Sequence, residues 1–295
     1  MNINWITLNE QLKQWLQEDI GRGDQTTLGV ISQVPTQERQ GKGYWLAKAS
    51  GVICGLRIAQ QVFKVLSDLD SNASQIEFIP CVAEGTWVRA DTTIAQMQGC
   101  LANLLMGERV ALNLVMHLSG VATTTRQYVD EIADLPALVV DTRKTTPGMR
   151  LLEKYAVRMG GAHNHRMGLD DGVMIKDNHI AAAGGIAQAI SGVRSTMPYP
   201  LSIEVETENL EQVQEAVNHG ADIIMLDNMP PAIMKEAVKL IRHHSSRIKI
   251  EGSGNVTLQT IRKIALTGVD YISSSAPITR ASWLDLSMRL IQEKP

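Results

Sequence analysis

The spacing of apolar residues before position 137 predicts helices on either side of a glycine-rich region. Residues 4–18 place their apolar side chains on one helical face, and residues 107–134 have the same kind of spacing. Residues 19–27, DIGRGDQTT, predict a loop. Between about residues 35 and 105, short alternating segments are broken by glycines, with one helical segment near 55–67. This region therefore predicts a small antiparallel or mixed sheet with one helix.

After residue 137 the pattern changes to short apolar runs that alternate with helical segments. Six runs have the length of buried strands: ALVVD (137–141), GVMIK (172–176), SIEVE (202–206), DIIML (222–226), IKIEG (248–252) and DYISS (270–274). Buried parallel strands are continuous apolar runs joined by helices, so this rhythm predicts βα units around a parallel sheet. A closed eight-stranded barrel needs two more strands than these six. We therefore predict an incomplete or open α/β barrel, with the N-terminal sheet domain packed on it.

The C-terminal segment WLDLSMRLIQE, residues 283–293, has amphipathic helical spacing. We expect this helix to return to the N-terminal domain.

Composition and charge exclude several classes of protein. The chain has 295 residues and a formal net charge of -3, whereas a sequence-independent nucleic-acid binder needs a basic face. Its three cysteines, Cys54, Cys81 and Cys100, lack metal-like spacing and suit a reducing compartment. The N-terminus lacks the order of a signal peptide, and no run approaches the ~20 apolar residues of a membrane span. We expect a cytoplasmic protein that binds neither membrane nor nucleic acid.

Charged residues follow the predicted strands, where ligands bind in parallel α/β folds. The residues at the strand ends and in the loop after the first strand are Asp141, Arg143, Lys144, His163, His165, Arg166, Lys176, Glu206 and Asp227. Because so many cations cannot cluster without an anion, we predict that the cations bind a polyanionic substrate. The carboxylates of Glu206 and Asp227 are oxygen ligands of the kind that Mg²⁺ prefers.

Each of these residues also has a structural alternative. Arg143 and Lys144 can pair with Asp141 as an ordinary charged turn. Asp227 can cap the helix that follows it, and either Glu204 or Glu206 can be an ordinary ion-pair partner.

Two loops of small residues predict a phosphate site. Ser253-Gly254-Asn255 follows the fifth strand, and the segment after it, VTLQTIRKIAL, predicts a helix. Small residues there let backbone N–H groups approach an anion at the start of that helix. Ser274-Ser275-Ala276 follows the neighbouring strand, and loops after the last strands of a barrel are a frequent phosphate site.

Six segments together resemble quinolinate phosphoribosyltransferase, the decarboxylating enzyme of NAD biosynthesis. They are EDIGRGDQTT, GERVALNLVMHLSGVAT, DTRKTTPGMRLLEKYAVRMGGAHNHRMGLDDGVMIKDNH, EVE…LDN, EGSGN and VDYISSSAPITR. The resemblance extends from about residue 17 to the C-terminus, and residues 141–179 carry its longest motif.

This resemblance implies a fold, a reaction and an assembly. The expected domains are an N-terminal α/β sandwich (1–112), a partly open α/β barrel (113–277) and a C-terminal helical segment that packs on the sandwich (278–295). The reaction joins quinolinate to phosphoribosyl pyrophosphate with Mg²⁺, giving nicotinate mononucleotide, pyrophosphate and carbon dioxide. The assembly implied is a homodimer or a hexamer.

The resemblance also assigns roles to residues. Those expected to line the quinolinate pocket are Arg143, Lys144, Thr145, His165, Arg166 and Lys176, with Arg109 reaching in from the partner subunit. Those expected to act in catalysis are Lys144, Lys176, Glu206 and Asp227, the last two also beside the ribose and the metal. The two small-residue loops are expected to bind phosphate. Ser275 and Asn255 stand where members of the family often have glycine, and we expect the loops to tolerate both.

Three other functions remain open from the sequence. The first is a related enzyme that has the same fold but transfers the group to another acceptor, such as the relatives linked to molybdate transport. A barrel aldolase that uses Lys176 or Lys144 as a Schiff base is another. The segment EGTWVRADTTIAQMQG also resembles a lipoyl-type carrier, although it has no lysine at the turn.

Overall fold

A computed structural model describes residues 3–35, 39–69 and 75–291, which divide into two compact units. The first comprises Met1–Thr124, Arg158–Gly160 and Ala281–Pro295, and the second comprises Thr125–Val157 and Gly161–Arg280. These divisions fall later in the chain than the expected boundaries at residues 112 and 277.

The first unit contains a four-stranded antiparallel sheet in the order β12-β1-β5-β3. Its strands are β1 (Gln40–Ala47), β3 (Glu77–Pro80), β5 (Thr93–Cys100) and β12 (Leu286–Ile291), and a small pair joins β2 (Gly51–Val52) to β4 (Trp87–Val88). Its helices are α1 (Trp5–Ile20), α2 (Gln25–Ser32), α3 (Leu56–Leu69) and most of α4 (Leu101–Asp130). The antiparallel sheet with one helix near 55–67 is confirmed.

The core of this unit is aliphatic, with one small aromatic group. Trp45 packs edge-on against Phe78 with ring centroids 5.4 Å apart, and Phe63 stacks on Phe78 at 5.9 Å. Leu8, Leu12 and Leu16 of α1 are buried, as the spacing of residues 4–18 predicts. The Trp45 ring is fully buried, so these contacts anchor β1 at the centre of the sheet.

Two predictions for this unit are wrong. Residues 286–291 of the segment predicted as a helix form strand β12 instead, because they pair with β1 from Lys42–Ile291 to Ala47–Leu286 and provide hydrogen-bond partners for the backbone of that edge. Residues 292 and 293 of that prediction lie outside the described residues. Residues 25–27, predicted as loop, begin α2. The Asp24 side chain caps this helix by accepting a hydrogen bond from the Thr27 backbone N–H at 2.9 Å.

The second unit contains the six-stranded parallel sheet that the apolar runs predict. Its strands are β6 (Leu138–Val140), β7 (Val173–Ile175), β8 (Ile203–Thr207), β9 (Ile223–Asp227), β10 (Lys249–Ser253) and β11 (Tyr271–Ser273), in the order β6-β11-β10-β9-β8-β7. The helices between them are α5 (Arg150–Met159), α6 (Asp177–Ala183), α7 (Ile186–Thr196), α8 (Leu210–Asn218), α9 (Pro231–His244), α10 (Ile261–Ala265) and α11 (Ala276–Thr279).

The barrel is open, as predicted. Strands β6 and β7 lie at opposite ends of the strand order and do not pair within the described residues. The outer edge of β6 instead forms one parallel bridge, between Val140 and His163. This bridge brings the segment that contains His165 alongside the end of β6.

None of the described helices combines the length and the apolar character that crossing a membrane requires.

Candidate active site

A cavity of about 680 Å³ lies at the carboxyl ends of the strands in the second unit. This volume is in the usual range for small-molecule sites. It brings together nearly all the residues predicted for the pocket: Arg143, Lys144, His165, Arg166, Lys176, Glu206, Asp227, Ser253, Gly254, Asn255, Ser274, Ser275 and Ala276. Thr145 is outside the lining, and Arg109 is an exposed residue of α4 in the first unit. The predicted roles of these two residues stay predictions.

Asp141, at the end of β6, does not pair with the neighbouring cations. It forms a fully buried ion pair with Lys154 of α5 and accepts hydrogen bonds from the His165 backbone N–H (2.8 Å) and the Asn164 side chain (2.6 Å). Burial raises the pKa of Asp141 and lowers the pKa of Lys154, and the ion pair opposes both changes. The alternative in which Asp141 neutralises Arg143 and Lys144 is therefore wrong.

Three cations of the cavity form no direct ion pair within the described ranges, although Glu204 and Asp171 act on Arg166 from a greater distance and its Nη1 donates to the Gly172 carbonyl at 2.8 Å. In the part of the chain that the structure describes, no carboxylate forms an ion pair with Arg143, Lys144 or Arg166. The Nε atom of Arg143 is buried and has no hydrogen-bond partner among the described residues. Burial, and then the charge of Arg143, lower the pKa of the Arg166 guanidinium. These like charges are held close together with polar groups unsatisfied, as expected of a site that binds an anion.

Lys176 and Glu206 face each other across the ends of β7 and β8. The Lys176 Nζ lies 2.7 Å from Glu206 Oε2, and the lysine side chain is about half exposed while the glutamate is mostly buried. Asp227, one strand further, accepts a hydrogen bond from the Asn228 side chain at 2.6 Å. It does not cap α9, whose N-cap position is Pro230, so that alternative is wrong.

His165 lies against two buried carboxylates from neighbouring parts of the sheet. Its Nε2 is 3.1 Å from Glu204 Oε2 and 3.4 Å from Glu251 Oε2. Burial lowers the pKa of His165, but the hydrogen bonds and charges of Glu204 and Glu251 outweigh it and raise the pKa to about 10. The Arg166 backbone N–H donates to Nδ1 at 2.8 Å, a hydrogen bond that only the neutral ring can accept, so it acts against the rise in pKa that the two carboxylates cause.

The same three side chains have the composition of a metal site. One nitrogen and two carboxylate oxygens lie within 4.8 Å of one another. We interpret them as a hydrogen-bonded cluster, because His165 already contacts both carboxylates and the positive charge of Arg166, which acts on Glu204, disfavours another cation. The predicted metal ligands, Glu206 and Asp227, line the same cavity but are not part of this cluster.

Hydrogen bonds join the loop after β9 to the loop after β10. The Asn255 side chain donates to Asn228 Oδ1 at 3.0 Å, and the Asn228 backbone N–H donates to the Ser253 carbonyl at 3.0 Å. A Cβ atom on Gly254 (φ 91°) would lie only 2.2 Å from Asn228 Oδ1, so the turn requires glycine there. Asn255 has a left-handed φ of 50°, which asparagine tolerates, and Ser275 has an ordinary φ of -86°.

The helix predicted directly after this turn begins later. Residues 256–260 are irregular or turn, and α10 begins at Ile261. The prediction that the helix begins at Val256, directly after Ser253–Asn255, is therefore wrong, and the N–H groups of its first turn do not lie at this loop. The second small-residue loop does lead into a short helix, since α11 begins at Ala276, and the Ala276 backbone N–H donates to Ser274 Oγ at 3.2 Å.

Two family models match almost the whole chain. The model described as the quinolinate phosphoribosyl transferase C-terminal domain matches residues 121–289, and the model of the N-terminal domain of the same family matches residues 24–119. The chain belongs to the quinolinate phosphoribosyl transferase family.

Individual members of this family are similar over their full length. A probable nicotinate-nucleotide pyrophosphorylase [carboxylating] of Synechocystis is 57% identical over 288 residues, covering 98% of this chain and 94% of that protein. Quinolinate phosphoribosyltransferase [decarboxylating] 2b of Nicotiana tabacum is 38% identical and covers 97% and 83%. The crystal structure of NadC from Streptococcus pyogenes is 38% identical, with a TM-score of 0.89 and 99% of each chain covered. These likenesses confirm the resemblance and the fold class drawn from the motifs.

The sequence motifs of the quinolinate phosphoribosyl transferase family contain residues whose part in this site was missed. Glu251 lines the cavity and contacts His165, and Asn228 joins the two loops. Lys154 binds Asp141. A signal existed for Glu251, since it lies inside the run IKIEG that predicts a buried strand, and a buried charge needs a partner. Lys154 had no such signal, because it is one of several charged residues in the sequence of α5.

Replacing Glu251 with glutamine should lower the pKa of His165, because it removes one of the two anions that favour the charged ring. Since the pKa of His165 is about 10 in the folded chain and ~6.5 in an unfolded one, folding takes up a proton at any pH between these two pKa values. The charged His165 ring therefore stabilises the fold fully below about pH 6.5, and this stabilisation is lost as the pH rises toward 10. NMR titration of the histidine ring signals measures the shift. Glu236→Gln, on the exposed surface of α9, is the matched control, and an unchanged His165 titration in Glu251→Gln contradicts the assignment.

Proposed function

We propose that this chain transfers the phosphoribosyl group of phosphoribosyl pyrophosphate to quinolinate and releases carbon dioxide, giving nicotinate mononucleotide and pyrophosphate in NAD biosynthesis. Family membership supports the reaction, since the tobacco relative is named for quinolinate phosphoribosyl transfer with decarboxylation. The observation that carries the substrate assignment is the unsatisfied Arg143 Nε beside Arg166 and Lys144 in one cavity. Quinolinate supplies two carboxylates, and each can accept paired hydrogen bonds from a guanidinium.

The first chemical step needs placement more than acid–base chemistry. The ring nitrogen of quinolinate is unprotonated at neutral pH, so its lone pair can attack the anomeric carbon while pyrophosphate leaves with the bonding electrons. Arg143 and Arg166 hold the carboxylate that stays in the product and so aim the nitrogen at the ribose. The carboxylates of Glu206 and Asp227 stabilise the positive charge that develops on the ribose.

The second step follows from the charge on the ring. Once the nitrogen is bonded to the ribose, the ring is a pyridinium. The bond from C2 to its carboxylate breaks, carbon dioxide leaves, and the electron pair stays on C2 beside the positive nitrogen. A proton then replaces the lost group. No organic cofactor is needed for this step.

Glu206 and Asp227 are the residues that would hold Mg²⁺. Both line the cavity and offer the oxygen ligands that Mg²⁺ prefers, and each has one oxygen hydrogen-bonded, Oε2 by Lys176 and Oδ2 by Asn228. When bound, Mg²⁺ would neutralise charge on the pyrophosphate. Ser253–Asn255 and Ser274–Ala276 would bind the ribose phosphate through small side chains and backbone N–H groups. A homodimer or hexamer, with Arg109 entering the partner's pocket, and a cytoplasmic location also remain proposals.

Of the two lysines in the aldolase alternative, Lys176 is disfavoured by its position, whereas the contacts of Lys144 do not decide the question. The Lys176 Nζ is held by Glu206 at 2.7 Å, and an imine-forming lysine needs a free amine aimed at the substrate carbonyl. A related enzyme with another acceptor remains the main alternative, and the proposal differs from it in requiring an acceptor with two carboxylates.

The direct test is incubation of the chain with quinolinate, phosphoribosyl pyrophosphate and Mg²⁺. We expect release of carbon dioxide and formation of nicotinate mononucleotide, loss of both products after chelation of Mg²⁺, and their return when Mg²⁺ is restored. Nicotinate in place of quinolinate is the control acceptor. No product from quinolinate, or equal turnover of nicotinate, contradicts the proposed function.

Arg143→Ala should weaken quinolinate binding while leaving the fold intact. Loss of one partner of a desolvated ion pair costs about 2 kcal/mol or more, so the dissociation constant should rise by about 30-fold or more. Isothermal titration measures the constant, and circular dichroism checks the fold. The matched control is Arg194→Ala, an exposed arginine of α7. Unchanged affinity in Arg143→Ala would remove this residue from the pocket.

The role of Arg109 can be tested with mixed oligomers. Arg109→Ala chains and Arg143→Ala chains should each be impaired alone. Coexpressed, they should recover part of the activity, because a hybrid dimer contains one site with both arginines intact. Activity no higher than the mean of the two parents means that Arg109 does not act across subunits. A coexpression of Arg194→Ala with Arg143→Ala sets the level that unimpaired chains contribute.

A further inference from the structure

Three charged residues in the first turns of α5 contact the loops that carry the cavity's cations, although none of the three lines the cavity. They are Arg150, Glu153 and Lys154. The loops are residues 142–149, which carry Arg143 and Lys144, and residues 164–168, which carry His165 and Arg166.

Arg150 hydrogen-bonds to both loops at once. Its Nε donates to Thr145 Oγ1 at 3.0 Å, and its Nη2 is 3.5 Å from the carbonyl oxygen of Arg143. Its Nη1 donates to the carbonyl of Met167 at 3.0 Å. One planar side chain therefore fixes the 142–149 loop relative to the 164–168 loop, next to the residues proposed to grip the substrate.

Glu153 and Lys154 add further attachments to the same loops. The Glu153 carboxylate accepts a hydrogen bond from the Thr146 backbone N–H at 2.9 Å. Lys154 donates to the His165 carbonyl at 2.9 Å and pairs with Asp141. Both side chains are fully buried. Removing Lys154 would leave the charge of Asp141 without its partner, and removing Glu153 would leave the Thr146 N–H without its acceptor.

Stability of the helix does not explain the choice of arginine at position 150. Arg150 is the first residue of α5, where the helix dipole favours an acidic residue and disfavours a cation. Burial is the main cause of the lowered pKa of Lys154, and the charge of Arg150 lowers it further. Arg150 thus adds a positive charge near Lys154, which is unfavourable. Its favourable contribution is the set of hydrogen bonds that it donates to both loops.

We infer that Arg150 is a positioning residue, which sets the distance between the 142–149 and 164–168 loops so that their cations can bind one dicarboxylate together. This inference rests on the proposed function for the identity of the ligand. A lysine cannot replace Arg150, because an ammonium group lacks the fork that reaches three acceptors in different directions.

The test compares Arg150→Met and Arg150→Lys with the wild-type chain. In both variants we expect the KM for quinolinate to rise about tenfold, equal to ~1.4 kcal/mol, while the KM for phosphoribosyl pyrophosphate and the thermal unfolding midpoint stay close to wild type. Arg194→Met is the matched control, since Arg194 also donates to a backbone carbonyl, that of Gly220 at 2.6 Å, but outside the cavity.

Hydrogen exchange provides a second measurement that does not depend on the substrate. Loss of Arg150 should speed amide exchange in residues 142–149 and 164–168 together, and Arg194→Met should change neither loop. If both Arg150 variants keep the wild-type KM for quinolinate, if both substrates are affected equally, or if only one loop exchanges faster, the positioning role is wrong. If the wild-type chain does not use quinolinate, the proposed function fails and the exchange result alone decides whether Arg150 couples the loops.

Discussion

Repulsion among the cations of the cavity is the constraint on which the rest of the second unit depends. Arg143, Lys144 and Arg166 line one cavity and form no direct ion pair with a carboxylate in the described part of the chain. A fold can hold such a group only if other interactions fix the loops that carry it. Strands β8 and β10 of the parallel sheet provide part of this support, because they carry Glu204 and Glu251, which contact His165. Helix α5 provides the rest, because Arg150 hydrogen-bonds to both loops. In the proposed function, the two carboxylates of quinolinate would offset part of this positive charge.

The elements that the sequence predicted well are those specified by local pattern. All six strands of the parallel sheet lie in short runs rich in apolar residues. The ends of four runs were identifiable from a charge, Asp141, Lys176, Glu206 or Asp227, and the ends of the other two from loops of small residues. Strand β12 could not be recognised in the same way. Its spacing also suits a helix, and only the free edge of β1, which is about 240 residues earlier in the chain, makes the strand the better partner. The late start of α10 is a similar case, since the loop contacts of residues 228 and 255 determine the backbone there.

For the candidate site, residue types were predictable and their partners were not. The motifs indicated that Arg143, His165 and Lys176 belong to one pocket, and the structure places them there. That His165 faces Glu251, and that Asp141 belongs to Lys154 rather than to its neighbours in sequence, depends on how strands and helices are arranged in space. Contacts of this kind have no signature along the chain. The useful local signal was the presence of a charge inside an apolar segment.

The close fit between Gly254 and Asn228 limits how sequences with this fold can diverge. Any side chain at position 254 would collide with the amide of Asn228, and a smaller residue at position 228 would remove the donor that holds Asp227. No change of side chain at position 228 would make room for one at position 254, because the added Cβ would also lie 2.7 Å from the Asn228 backbone nitrogen and the φ of Gly254 is left-handed. Glycine should therefore persist at position 254 in sequences that keep this turn, for a reason that lies in the shape of the backbone and not in the chemistry of the reaction.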